Sequence, residues 1–153
     1  MIDYCVCTFS EVWDLMREMV SEQWAEVDAR ARDSKLGVME DFYTSLEEKD
    51  LHYIVVALED SVLLGYNSMI ITYSPHTGTL HAVTDTIYVS PEGRGRGVGT
   101  ELIKIAEEEA IERKAEHIMV TFKEDTPHDK IMKDLEFTLG EVVYHKSLRG
   151  EVE

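Results

Sequence analysis

Between Gly93 and Gly99 the chain reads "GRGRGVG", four glycines and two arginines in seven positions. A strand-like stretch precedes it, and the helix-like "TELIKIAEEEAIERK" follows. A helix that begins just after a strand presents unpaired N–H groups at its N-terminus, and its dipole adds partial positive charge there. A backbone built from glycines can curl into a nest that anionic oxygens approach closely. Arg94 and Arg96 add fixed charge and forked donors. The chemistry this predicts is a pyrophosphate cradle. A hairpin with solvated arginines is the other reading, but it gives no reason for strand, turn and helix to follow in that order. The run is not a Walker loop, which requires G-x-x-x-x-G-K-[ST]. It also departs from G-x-G-x-x-G, because Thr100 stands where the last glycine belongs.

The elements around the turn follow from periodicity. "YCVCTF" (Tyr4–Phe9) reads as a short strand. From Ser10, the expected N-cap, the pattern turns helical, with Trp13, Met16, Val20 and Trp24 on one face. A second helix is expected over Gly37–Glu48, with Met39, Phe42, Tyr43 and Leu46 on one side. "HYIVVALE" (His52–Glu59), "VLLGYNSMIITY" (Val62–Tyr73) and "LHAVTDTIYV" (Leu80–Val89) read as strands, and their short connections predict an antiparallel meander. After the glycine turn, Val98, Leu102, Ile105, Ala106 and Ala110 form the apolar stripe of a helix. "HIMVTF" (His117–Phe122) then completes a parallel crossover. Pro127 opens a further helix to about Leu135, and "EVVYHKSL" (Glu141–Leu148) is expected as a last strand. The fold class is therefore α/β, a mixed sheet flanked by helices.

Composition narrows the function. The 153 residues fit one domain spanning 1–153. A formal charge of −16 opposes nonspecific binding to nucleic acid and suits a cationic acceptor, with solubility alone as the other reading. No apolar run approaches the roughly 20 residues of a membrane-spanning helix, and the start of the chain does not read as a secretory signal. Cys5 and Cys7, two apart on one strand, are poorly placed for a disulfide. They make half a metal site that no second Cys/His pair completes, so no metal and a reducing cytoplasm are expected.

The stretch "IYVSPEGRGRGVG" resembles the signature of the GNAT acetyltransferases, in which R/Q-x-x-G-x-G/A binds acetyl-coenzyme A. Arg94-Gly95-Arg96-Gly97-Val98-Gly99 matches it, with Val89 and Pro91 in the approach. Tyr144, Lys146 and Leu148 match the family's closing Y-x-K-x-L. The resemblance spans roughly residues 52–148, and residues 10–50 correspond to the two helices that shape the acceptor side. It implies a mostly antiparallel central sheet with a β-α-β crossover that binds the coenzyme. It further implies an N-acetyltransferase that moves the acetyl group of acetyl-CoA directly to a primary amine, the amine being a small molecule or a protein amino group. Related domains often dimerise, so a homodimer is among the expected states. A noncatalytic coenzyme-binding module and an acidic protein that occupies a basic partner are the alternatives.

Carried onto these residues, the resemblance puts the pyrophosphate on the amides of Arg94, Gly95, Arg96, Gly97, Val98, Gly99 and Thr100. The pantetheine arm pairs with Ile87, Tyr88 and Val89, and an N–H near Val89 polarises the thioester carbonyl. His117–Phe122 splays from its neighbour to open a slot. Asp125 stands where the family often has an asparagine. An ammonium acceptor must lose a proton, which asks for a carboxylate or a water held by one. Asp85, a charge inside "VTDTIYV" and four residues before Val89, is the expected base, with a solvent-facing aspartate as the other reading. His81 shares its face by strand alternation and is the second candidate. The family's usual acid, a tyrosine, is replaced by Met132, with Phe137 in the family's place and Glu136 for its glycine. His128, one turn earlier, is the remaining candidate acid, and departure of the thiolate without one is the expected outcome. Tyr73, Trp13 and Trp24 are candidate walls of the acceptor groove, core packing being the other reading for the tryptophans.

Overall fold

The computed structural model describes residues 1–27, 35–123 and 126–149. In chain order the elements are β1 (Asp3–Cys7), α1 (Phe9–Val27), α2 (Glu40–Glu48), β2 (His52–Glu59), β3 (Val62–Tyr73), β4 (Leu80–Val89), α3 (Val98–Glu112), β5 (His117–Met119) and α4 (Asp129–Asp134). The strands lie in the order β1-β2-β3-β4-β5. The first four pair antiparallel, and β5 joins β4 in parallel after the α3 crossover.

Helices cover both faces of this sheet, so its central strands are buried on both sides. On β2, Tyr53, Val55 and Ala57 pack towards α3, in one cluster with Val98, Leu102, Ala106 and Ala110. Ile54 and Val56 point the other way and pack on Phe9, Val12, Trp13 and Met16 of α1. This alternation is the period of two that strands impose. Leu102, fully buried, would cost about 2–5 kcal/mol to truncate to alanine. Tyr53 buries its hydroxyl by donating to the Ala106 carbonyl at 2.7 Å, which fixes α3 on the sheet.

Several boundaries differ from expectation. The first helix is capped by Thr8 rather than Ser10. The Glu11 amide donates to Thr8 Oγ1 at 3.3 Å and the Thr8 amide to Glu11 Oε1 at 2.9 Å, a reciprocal capping box. Ser10 is already helical, and its amide and hydroxyl donate to Glu47, which ties the start of α1 to the end of α2. The second helix starts at Glu40 rather than Gly37, so Met39 precedes it; Met39 and Phe42 are exposed, while Tyr43 turns inward to stack on Phe9. The fifth strand keeps only three residues of the six expected.

The expected strand Glu141–Leu148 does not form, and these residues run unpaired, with Tyr144 91% and Leu148 92% exposed. An alternating apolar pattern makes a strand only where a ladder satisfies its backbone groups and a face receives its side chains. Neither is supplied to this segment by the described residues.

Two irregularities of β4 shape the ground for chemistry. The β3–β4 register steps from Ser68↔Thr86 to Met69↔Thr84, which leaves Asp85 as the extra residue of a β-bulge. The β4–β5 ladder ends at Val83↔Met119, while β4 runs on to Val89. From Thr84 onward, that edge of β4 has no partner strand among the described residues.

Candidate active site

The site is built along the second half of β4 and the turn after it. The Ser90 amide anchors the strand end to the Leu64 carbonyl at 2.8 Å, and a single helical turn, Pro91–Gly93, redirects the chain. Gly95 and Gly97 then adopt φ of +74° and +78°, the left-handed region where a Cβ is penalised. Gly97 caps α3, and the first amide to bond back is that of Glu101, to the Gly97 carbonyl at 3.1 Å. The amides of Val98, Gly99 and Thr100 therefore belong to the turn that has no intrahelical acceptor. A Cβ built on Gly95 or Gly97 would meet no protein atom within 4 Å, so the backbone here faces open space.

The arginine side chains are not held free for an anion. Arg96 is bidentate to Glu59 at 2.5 and 3.1 Å. Arg94 donates from a guanidinium nitrogen to Glu26 Oε1 at 2.6 Å and from Nε to the Val89 carbonyl at 3.1 Å. Glu26 also accepts from the Tyr88 hydroxyl. The bonds from Tyr88, and then Arg94, hold the Glu26 carboxyl below its usual range. Burial, and then the bond to Glu26, pushes the Tyr88 hydroxyl up to about 12. The two charges that favoured a cradle in the sequence are thus matched by carboxylates from α1 and β2. The anion-binding capacity that remains lies in the backbone.

A hollow opens beside this strand, between α1, α2 and the sheet. Asp85, the residue of the bulge, is solvent-exposed and stands among the residues that line it. Its Oδ2 accepts from Tyr43 at 2.8 Å and from Ser68 at 3.0 Å. Ser68 is in turn 2.7 Å from His52 Nε2. His52 is 2% exposed, and burial holds its imidazole below the usual 6.5 against the opposing pull of Asp85 and Glu47. The inner part of the hollow has Trp13, Met16 and Tyr43 among its walls. An adjoining outer part is lined by Trp24, Leu36 and Lys123, with Val38, Tyr43, Asp85 and Thr86 common to both. Buried Gln23 braces the same strand, donating to Thr86 Oγ1 and accepting from Tyr66.

The structure therefore brings Asp85 onto the strand that carries Ile87, Tyr88, Val89 and the turn. The Tyr88 side chain is buried, which leaves its backbone as the part on offer. His81 stands at the other end of β4, 5.0 Å from the His117 ring, and does not line the hollow. The bulge at Asp85 breaks the alternation that had put the two on one face. His128 caps α4, holds the Thr126 carbonyl through Nδ1 at 2.7 Å and stacks on Phe122 at 4.7 Å. It is not among the residues lining the hollow. Tyr73 is exposed and lies away from the site, whereas both tryptophans line it. Asp125 lies outside the described residues. Tyr43, Ser68, His52 and Gln23 are the site's neighbours that periodicity missed. A histidine and a serine inside apolar strands were the available signal.

The sequence profile of the acetyltransferase (GNAT) family matches residues 11–135. The chain belongs to this family. No curated protein sequence matches it significantly. Solved structures share its fold at low identity. A ribosomal-protein-alanine N-acetyltransferase from Brucella melitensis biovar Abortus is 17% identical with a TM-score of 0.68, covering 98% of this chain and 100% of that one. A predicted acetyltransferase with acetyl-CoA from Clostridium acetobutylicum is 16% identical with a TM-score of 0.70, covering 97% of each chain. An aminoglycoside acetyltransferase from an uncultured soil metagenomic sample, in complex with sisomicin, is 13% identical with a TM-score of 0.70 and 97% coverage of each.

The protein is thus a GNAT acetyltransferase, with the mixed and mostly antiparallel sheet of that fold. The family uses acetyl-CoA. The open space over Gly95 and Gly97, the turn amides and the edge of β4 that has no partner strand among the described residues fit a pyrophosphate and an extended arm. Among the described residues, no group of three or more His, Cys, Asp and Glu is placed to hold a metal ion, and no helix is long and apolar enough to cross a membrane.

Proposed function

We propose that this acetyltransferase acts on a primary amine and that Asp85 takes the proton from the acceptor's ammonium. The observation that carries the reading is the bulge. It turns one carboxylate out of the ladder and into a hollow that adjoins the coenzyme strand, with Tyr43 and Ser68 donating to a single oxygen. Those two bonds orient the carboxylate and leave Oδ1 for an ammonium or for the water that relays its proton.

The amides of Arg94–Thr100 hold the pyrophosphate, and the backbone of Ile87–Val89 pairs with the pantetheine arm. Acetyl-CoA, when bound, supplies an acetyl thioester open to attack by the amine. No general acid is assigned, since His128 is committed to Thr126 and Phe122. The described elements work as one acetyltransferase domain. Cys5 and Cys7 are free thiols, which suits a reducing compartment.

The test is Asp85→Asn, assayed by thiol release and separately by coenzyme binding. The expected result is at least a tenfold loss of turnover, about 1.4 kcal/mol of barrier, with acetyl-CoA affinity retained. An unimpaired variant would remove Asp85 as the base.

A further inference from the structure

The chain carries a formal charge of −16, yet its acidity is not gathered at the acceptor hollow. Among the described lining residues of both parts, Asp85 is the only carboxylate, and Lys123 is the only other charged group. The rest of the inner lining is mostly hydrocarbon, with Ser68 and Thr86 as its polar members, while the outer part adds the polar Gln23 beside Lys123. Trp13, Met16, Val20, Val38, Tyr43 and Trp24 supply the walls. The ring of Phe9 stacks on Trp13 at 5.0 Å and on Tyr43 at 4.8 Å, which makes the inner wall a continuous aromatic surface.

An ammonium placed at Asp85 is matched by one negative charge. Whatever is attached to it must then lie against carbon. A second ammonium carried into the inner part would be desolvated with no further carboxylate among the described lining residues to receive it, which is costly. A row of hydroxyls laid on the inner aromatic wall would lose water bonds that the Phe9, Trp13 and Tyr43 ring faces cannot replace. An alkyl or aryl arm gains by leaving water.

We propose that the acceptor is a primary monoamine whose nitrogen sits on a short apolar arm, alkyl or arylalkyl, rather than a polyamine or a polyhydroxylated amine. This rests on the reading of the Asp85 hollow as the acceptor site. Val38, in the segment leading into α2, is then a specificity determinant, because it lines both parts of the hollow.

Butylamine and putrescine test this directly, since they differ only in a second terminal ammonium. Thiol release gives kcat/KM for each, with benzylamine as the aryl case. A second readout needs no chemistry. Trp13 and Trp24 line the hollow, so their fluorescence should report amine binding in the presence of coenzyme A. The expected result is at least a tenfold preference for butylamine over putrescine, and a preference narrowed at least threefold in Val38→Glu. Equal or better use of putrescine would overturn the apolar arm while leaving acetyl transfer to amines intact. Saturable fluorescence change with butylamine but not putrescine, without turnover of any amine, would support the apolar site and sink the catalytic reading instead. No binding and no turnover of any monoamine would overturn both.

Discussion

Gly97 offers a perturbation whose two consequences can be separated. Its φ of +78° penalises any side chain, while a Cβ there would touch no protein atom within 4 Å. Substitution in the free protein therefore costs the backbone term alone, about 1–2 kcal/mol. For a chain of this size that lowers Tm by about 2–8 °C. Gly78, in the turn between β3 and β4, is a matched control, with φ of +71° and the same open surroundings. Gly97→Ala and Gly78→Ala should lose similar stability. Only Gly97→Ala should weaken acetyl-CoA, at least tenfold, or about 1.4 kcal/mol, and Gly97→Val should abolish binding. Differential scanning calorimetry gives the first quantity and isothermal titration the second. The reasoning rests on the space over Gly97 being where the pyrophosphate lies. A folded Gly97→Val that binds acetyl-CoA normally would refute it, and so would equal loss of affinity in Gly78→Ala.

Two further outcomes are expected. His128→Ala should keep turnover within about threefold, because the ring is occupied by Thr126 and Phe122; a variant that binds acetyl-CoA but no longer releases thiol would make His128 the acid after all. His52, whose folded pKa lies below the usual 6.5, binds fewer protons folded than unfolded, so stability falls as pH drops below about 6.5. Denaturation of His52→Gln should show a flatter dependence from that point down to the range where carboxylates such as Glu26 and Glu47, held below their usual values, begin to protonate. An unchanged slope would show that burial of His52 contributes nothing to it.

The fold was legible wherever local pattern and tertiary pairing agreed. The meander was readable because β2, β3 and β4 are long, buried and joined by short turns. The α3 stripe was readable because its apolar positions meet a sheet that is itself apolar. The last segment was misread for the opposite reason. Val142, Val143, Tyr144 and Leu148 have strand chemistry, but nothing among the described residues receives them. Likewise Ser10 and Thr8 are both good caps by type. Only the partner decides, and Glu11 answers Thr8 while Glu47 takes Ser10.

The site shows the same division at finer grain. Positive-φ glycines announce themselves, since few other residues suit a left-handed turn, and so the turn at Gly95 and Gly97 was visible in the sequence. The arginines looked equally telling, but sequence spacing carries no information about Glu26 and Glu59, which approach from 68 and 37 residues away and take up both guanidinium groups. Asp85 could be noticed as misplaced, yet alternation assigned it the wrong company, His81 instead of Ser68 and Tyr43. A bulge inserts one residue and reverses every facing beyond it. That single irregularity is also what joins the two halves of the chemistry. Asp85 and Val89 lie on one strand, four residues apart, so the spacing between the proposed proton acceptor and the proposed thioester-polarising amide is set by the strand itself. Helices α1 and α2 shape the walls of the hollow. The acceptor they admit can therefore change without moving Asp85 along β4 relative to Val89.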